Sequence, residues 1–234
     1  TKSEQPDFDI SGMSAKNLNS YSMINNEIFI VEPGGIDDTP AICQAFDDAK
    51  AAGPGSVVQL LAGEYYLGLM EVRDFCGIFK GAGKGKTIIT VMNNLDLQSL
   101  WNKGQRGDLV KFVGGDVCLS DFTIRTPEGK LSVTGPANGI IGGLINFSAC
   151  NAQYERGNTA RSINVVIDNV SFKGQLLDGG YGYVKNYNCA MGVRAGWDEP
   201  WGTGIPREKI NFKITNSDFS TFCYGLVLES MTDS

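Results

Sequence analysis

The chain contains no histidine, so Ser–His and Cys–His nucleophile pairs are excluded within it. Acid–base work therefore falls to carboxylates, Arg and Lys. The candidate catalytic group is Arg194, Asp198 and Glu199, with Glu229 one strand further along. A glycoside hydrolase needs two carboxylates about 5–9.5 Å apart across a glycosidic bond, and Asp198, Glu199 and Glu229 are the local supply. A uronate lyase needs a base such as Arg or Lys and something to neutralise the sugar carboxylate, often Ca2+ on acidic residues. Arg194 with Asp198 and Glu199 fills that pattern in part, but no row of acidic residues recurs beside it. The same stretch is aromatic. Tyr181, Tyr183, Tyr187, Trp197 and Trp201 fall in the two segments 173–188 and 196–209 that flank a strand around Gly192. Flat rings suit the C–H faces of sugars while nearby polar groups bond the hydroxyls. The rival reading is that these loops only pack on one another and cover a sheet edge.

Other motifs carry less. Gly81-Ala-Gly-Lys-Gly-Lys-Thr87 suggests a phosphate loop, but the position five before Gly85 is Lys80, and a strand-like Thr-Ile-Ile-Thr-Val follows where a helix is required. It is a turn. Asp37 and Asp38 stand just before a helix, where turn and capping roles outweigh metal or catalysis. The cysteines at 43, 76, 118, 150, 189 and 223 lack the short spacing of a zinc site. They read as small buried hydrophobes, with disulfides as the alternative in an exported protein.

The elements that must position these groups are mostly short strands. One helix is predicted over 39–52: Thr39 can cap it, Pro40 suits its first turn, and Gly53-Pro54 ends it. Ala41, Ile42, Ala45, Phe46 and Ala49 share one face, which must be covered. From residue 56 onward the runs are strand-like, and the second half repeats. Leu119-Ser-Asp-Phe-Thr-Ile-Arg125, Ile167-Asp-Asn-Val-Ser-Phe-Lys173 and Ile214-Thr-Asn-Ser-Asp-Phe-Ser220 align on Asp121, Asn169 and Asn216. Their steps are 169 − 121 = 48 and 216 − 169 = 47. A second series aligns Gly143-Leu-Ile, Gly192-Val-Arg and Gly225-Leu-Val, each opening a strand. The polar member of the first series suits a corner with left-handed backbone, and corner amides of successive coils can bond along the axis. Strands of successive coils would pair in parallel about 4.8 Å apart, and the helix would cap the stack. Alternation places Val193 and Ala195 inward and Arg194 and Glu229 outward.

Gly35-Ile36-Asp37-Asp38-Thr39, the helix after it, and Gly55-Ser-Val-Val-Gln-Leu-Leu-Ala-Gly-Glu-Tyr-Tyr66 resemble the N-terminal signature of pectate-lyase-superfamily β-helix proteins. The turn Gly81–Thr87 followed by Ile88-Ile89 is similar to that family's next coil. The resemblance covers residues 31–91, with Leu61 where the family usually has Pro. It implies a mainly β fold: a single-stranded, right-handed parallel β-helix with an N-terminal capping α-helix. Residues 1–30 would be a tether and lead-in and 31–234 the β-helix, with coils from about 55 and a C-terminal end truncated within a coil. That end would be covered by further coils or a partner. The resemblance also implies an extracellular setting and carbohydrate as the substrate class, but no particular activity.

Composition narrows the classes. A net charge of −6 argues against a general nucleic-acid binder, and no apolar run approaches the roughly 18 residues of a membrane span. The resulting expectation is a secreted, periplasmic or cell-surface protein, lipid-anchored in one version, that binds a polysaccharide or degrades it as a lyase or hydrolase. Ca2+ is expected only for a lyase. The alternatives are a non-catalytic structural or adhesive β-helix and a phage-tailspike-like protein.

Overall fold

The computed structural model describes residues 27–92, 107–127, 141–148, 163–175, 189–195, 210–222 and 224–228. They form a mainly β protein with parallel sheets and one helix. In chain order the elements are β1 Ile28–Val31, α1 Thr39–Ala52, β2 Ser56–Leu60, β3 Gly63–Leu67, β4 Met70–Arg73, β5 Gly77–Lys80, β6 Thr87–Val91 and β7 Val110–Val113. There follow β8 Val117–Arg125, β9 Ile141–Ser148, β10 Ile163–Lys173, β11 Cys189–Ala195, β12 Ile210–Thr215, β13 Asp218–Ser220 and β14 Tyr224–Leu228.

The first sheet runs β1-β2-β5-β8-β10-β12, with β3 and β6 joining through β8 and β13 through β10. The second runs β4-β7-β9-β11-β14. Described pairs are parallel throughout, so each needs a long return connection. The chain visits the first sheet, then the second, then the first again, adding a strand to each on every round. The repeat steps reappear as register: Val117 pairs Val165 (165 − 117 = 48) and Ile163 pairs Ile210 (210 − 163 = 47). β1 was not foreseen. It precedes the helix and pairs with β2, so sheet formation starts before residue 55.

Alternate residues of each strand face the space between the sheets. One ladder of register partners there is Phe29, Val58, Phe79, Leu119, Ile167 and Ile214. Another is Val72, Phe112, Phe147, Ala195 and Leu228. The helix covers this core near β1 and β2. Ile42, Ala45, Phe46 and Ala49 are its buried face, and the Phe46 ring lies 4.9 Å from Phe75, 5.1 Å from Phe79 and 5.8 Å from Phe112. At the other end β14 is different. Leu226 and Leu228 are 39% and 42% exposed, although their partners Val193 and Ala195 are fully buried.

Two local details differ from the sequence reading. Thr39 is the first helical residue rather than the cap; its hydroxyl accepts from the Gly68 N–H at 2.8 Å. Asp38 holds the cap position without a side-chain capping bond, because its carboxylate accepts the N–H groups of Gly34 and Tyr66 and ties the helix entry to β3. The glycine series is also one residue out of step. Gly143 pairs with Met191, so Gly192 stands opposite Leu144, and all three glycines lie inside their strands. A slip of one residue would have turned every side chain to the other face.

The polar corners are as expected. Asp121, Asn169 and Asn216 take left-handed backbone with φ of 62°, 56° and 51°, a conformation Asn and Asp tolerate better than most residues. Asn169 donates its amide to Asp121 at 2.7 Å, whereas Asn216 donates to Asp168 at 2.7 Å instead of to Asn169. The Gly81–Lys86 segment is indeed a turn. It lies along the stack as a strap: the Gly83 N–H bonds the Asp121 carbonyl at 2.7 Å and the Gly85 N–H bonds the Thr123 hydroxyl at 3.1 Å. Lys84 then reaches Asp218 at 2.9 Å and also donates to the Asn216 carbonyl.

Candidate functional site

The outward face of the second sheet carries one continuous polar row. Glu71 of β4 pairs in register with Lys111 of β7, Lys111 with Asn146 of β9, and Asn146 with Arg194 of β11. Neighbouring strands bring such groups to about 4.8 Å spacing. The next outward row begins with Arg73 and includes Ser148. These side chains point away from the core because Val72, Phe112, Phe147, Val193 and Ala195, at the alternate positions, fill it.

At one end of the row a buried cluster forms. Arg194 Nη2 donates to Asp108 Oδ2 at 2.6 Å, and Asn146 Nδ2 donates to the same oxygen at 2.9 Å. Asp108, just ahead of β7, can lie over β9 because Gly142 and Gly143 have no side chains. A Cβ at either would sit 3.0 or 3.2 Å from Asp108 Oδ1. All three polar residues are at least nine-tenths buried. The carboxylate offsets the guanidinium charge, and a pair held this way is fixed in orientation. At the other end the row is open. Glu71 bonds Arg73 at 2.6 Å and lies 3.9 Å from Lys111. Side-chain exposure falls from 36% at Glu71 and 19% at Lys111 to 4% at Arg194. The Glu71–Lys111 end is thus the solvent-facing part of the row.

Arg194 is thus placed on the outward face, as alternation implied. Asp198, Glu199 and Glu229 lie outside the described residues, as do Tyr181, Tyr183, Tyr187, Trp197 and Trp201. Asp108, Asn146, Lys111, Glu71 and Arg73 were not singled out from sequence. Alternation in Val110-Lys-Phe-Val113 marks Lys111 as outward, but nothing local signals the long-range partnership of Asp108. Among the described residues no three of His, Cys, Asp or Glu stand close enough to hold a metal ion. The carboxylates of this face, Asp108 and Glu71, are committed to cations, so the described part of the site does not fit Ca2+.

Burial also disfavours thiolate chemistry at Cys43, Cys118 and Cys189. Burial pushes Cys118 up to about 12, with Asp168 and Asp121 adding to the shift, and burial raises Cys189 and Cys43 as well. These thiols stay protonated near neutral pH and act as small apolar groups. Cys150 and Cys223 lie outside the described residues.

No protein-family model, no curated protein and no solved structure matches the chain.

Proposed function

We propose that the chain is a right-handed parallel β-helix whose second sheet presents a binding face for a polysaccharide, in a secreted or cell-surface protein. The observation that carries this is the in-register row Glu71–Lys111–Asn146–Arg194, whose open end presents Glu71 and Lys111 while the buried Asn146 and Arg194 brace it. Polar groups presented by neighbouring parallel strands suit a ligand that is itself linear, and stacked repeats commonly bind along such extended faces. The general preference for right-handed crossovers between parallel strands supports the right-handed sense. The aromatic segments around Tyr181–Tyr187 and Trp197–Trp201 supply rings of the type that pack on sugars. Binding is favoured over catalysis because Arg194 is held by Asp108 and nearly buried, which removes the most prominent basic candidate from easy contact with substrate.

The test is a glycan screen on the intact chain, with Lys111→Ala and the Trp197→Ala and Trp201→Ala variants alongside. We expect each to weaken binding of the same polymer by roughly tenfold, the scale of one good contact. Unchanged affinity in all three would sink the proposal. Release of unsaturated uronate or new reducing ends in the same samples would add a lyase or hydrolase activity to the binding face.

A further inference from the structure

The first sheet has an outward polar row of its own. Tyr66 of β3 pairs in register with Thr90 of β6, Thr90 with Arg125 of β8, Arg125 with Lys173 of β10, and Lys173 with Ser220 of β13. Beside it stands a second row through Glu64, Thr123, Ser171 and Asp218. The strap Gly81–Lys86 lies over that second row: Gly85 bonds Thr123 and Lys84 bonds Asp218. Thr123 and Ser171 are accordingly buried, at 4% and 3% exposure, although they face outward. The strap therefore forms a wall along one side of the Tyr66–Ser220 row.

Within this trough the polar groups are fixed. Arg125 Nη2 donates to Glu64 Oε1 at 2.6 Å and its Nε donates to Thr90 Oγ1 at 3.1 Å, while the Thr90 hydroxyl donates to Glu64 Oε1 at 3.0 Å. Tyr66 lies beside the same carboxylate, whose charge raises its phenol above the usual value. Glu64 and Arg125 nevertheless keep 35% and 34% of their side chains exposed. The Arg125 hydrogen bond, followed by that of Thr90, holds the Glu64 carboxyl below the usual range against the opposing effect of burial. The local charges nearly cancel, Glu64 against Arg125 and Asp218 against Lys84.

We propose that this trough is a second carbohydrate site, for a neutral pyranose, on the opposite sheet from the first. A carboxylate offers only acceptors and a guanidinium only donors. Adjacent sugar hydroxyls, each able to donate and accept, satisfy the exposed sides of Glu64 and Arg125 together. The half-exposed Tyr66 ring supplies the apolar surface on which a sugar C–H face packs. A polyanion would meet Glu64 unfavourably, and Lys173 already interacts with Asp218. The proposal does not depend on the second-sheet reading, since no residue is shared.

The experiment is affinity electrophoresis of the intact chain in gels containing β-glucan, xylan or galactomannan, with polygalacturonate as the anionic comparison. We expect at least one neutral polymer to retard the chain. Tyr66→Ala should weaken that interaction about tenfold, the effect of one aromatic contact. Tyr66→Phe, which keeps the ring, should change it by less than about threefold, and a Trp197→Ala/Trp201→Ala background should still be retarded and lose that retardation when Tyr66→Ala is added. Thermal unfolding of Tyr66→Phe and Tyr66→Ala within a few degrees of each other separates loss of contact from loss of fold. The proposal is overturned if no neutral polymer retards the chain, or if Tyr66→Ala binds as the parent does. It is equally overturned if only the Trp variants lose binding, which places the polymer on the second sheet alone. Retention on polygalacturonate abolished by Lys173→Ala but not by Tyr66→Ala would mark a simple anion site instead.

Discussion

Asp108 and Arg194 are separated by 86 residues and meet in a site nearly closed to water. Removing one member of such a pair leaves the other charge in a poor dielectric, which destabilises far more than the pair itself stabilises. Asp108→Ala should therefore lower the unfolding free energy by about 3–5 kcal/mol, read from the urea midpoint. The double variant Asp108→Leu/Arg194→Met should recover most of that loss, because both charges are gone. A double variant as unstable as the single one would mean that the ion pair is not the source of the effect. Of the two partners only Arg194 was legible from sequence, since it sits between the inward Val193 and Ala195. Asp108 precedes its strand and has no periodic neighbour on its own side. Its role depends on where β9 and β11 fall relative to β7, and on two glycines in β9 that leave it room.

At the scale of elements, the left-handed Asx positions, two of them bends within β8 and β10 and one between β12 and β13, are where sequence and structure agree most closely. Asx residues recur at 121, 169 and 216 because a left-handed backbone and an amide or carboxylate ladder are wanted at the same place. Asn169→Ala imposes the steric cost of that conformation and removes the bond to Asp121, for a loss of about 2 kcal/mol. Asn169→Gly relieves the steric part and should lose only about 1 kcal/mol. Equal losses in the two variants, measured by chemical denaturation, would show that backbone handedness is not what selects Asn. The register of the second sheet was harder to read. Glycine is permissive, so a recurring Gly does not by itself fix a face, and aligning on it displaced Gly143 by one position. The pattern of Ile145, Phe147, Val193 and Ala195, all buried, is the stronger guide.

Across the whole molecule the two sheets share one core, and Phe46 brings the helix to both of them through Phe79 of β5 and Phe112 of β7. Phe46→Ala should destabilise by about 3–5 kcal/mol, as buried aromatic truncations do. Far-ultraviolet dichroism and tryptophan fluorescence should still report one shared transition. Separate transitions would instead show the helix to be a detachable cover. The mainly β, parallel-sheet class was legible because a periodic sequence reports the register step between its paired strands. The binding faces were only partly so, since each collects side chains from strands 24 to 48 residues apart, as in the steps from Tyr66 to Thr90 (90 − 66 = 24) and from Arg125 to Lys173 (173 − 125 = 48).

The strap has a kinetic meaning. In an array whose rounds touch only their neighbours, an end can peel away one unit at a time, and its stability is that of the last interface alone. Lys84 belongs to the turn after β5 yet grips Asn216 and Asp218 beside β12 and β13, passing over the intervening β8 and β10 rounds. Separating β12 and β13 from β10 then also has to release a contact anchored on the β5 side. The grip is electrostatic and partly exposed, so it slackens as counter-ions screen it. Raising the salt concentration should therefore ease the parting of β12 and β13 from β10 by about 1 kcal/mol or less, the scale of an exposed ion pair.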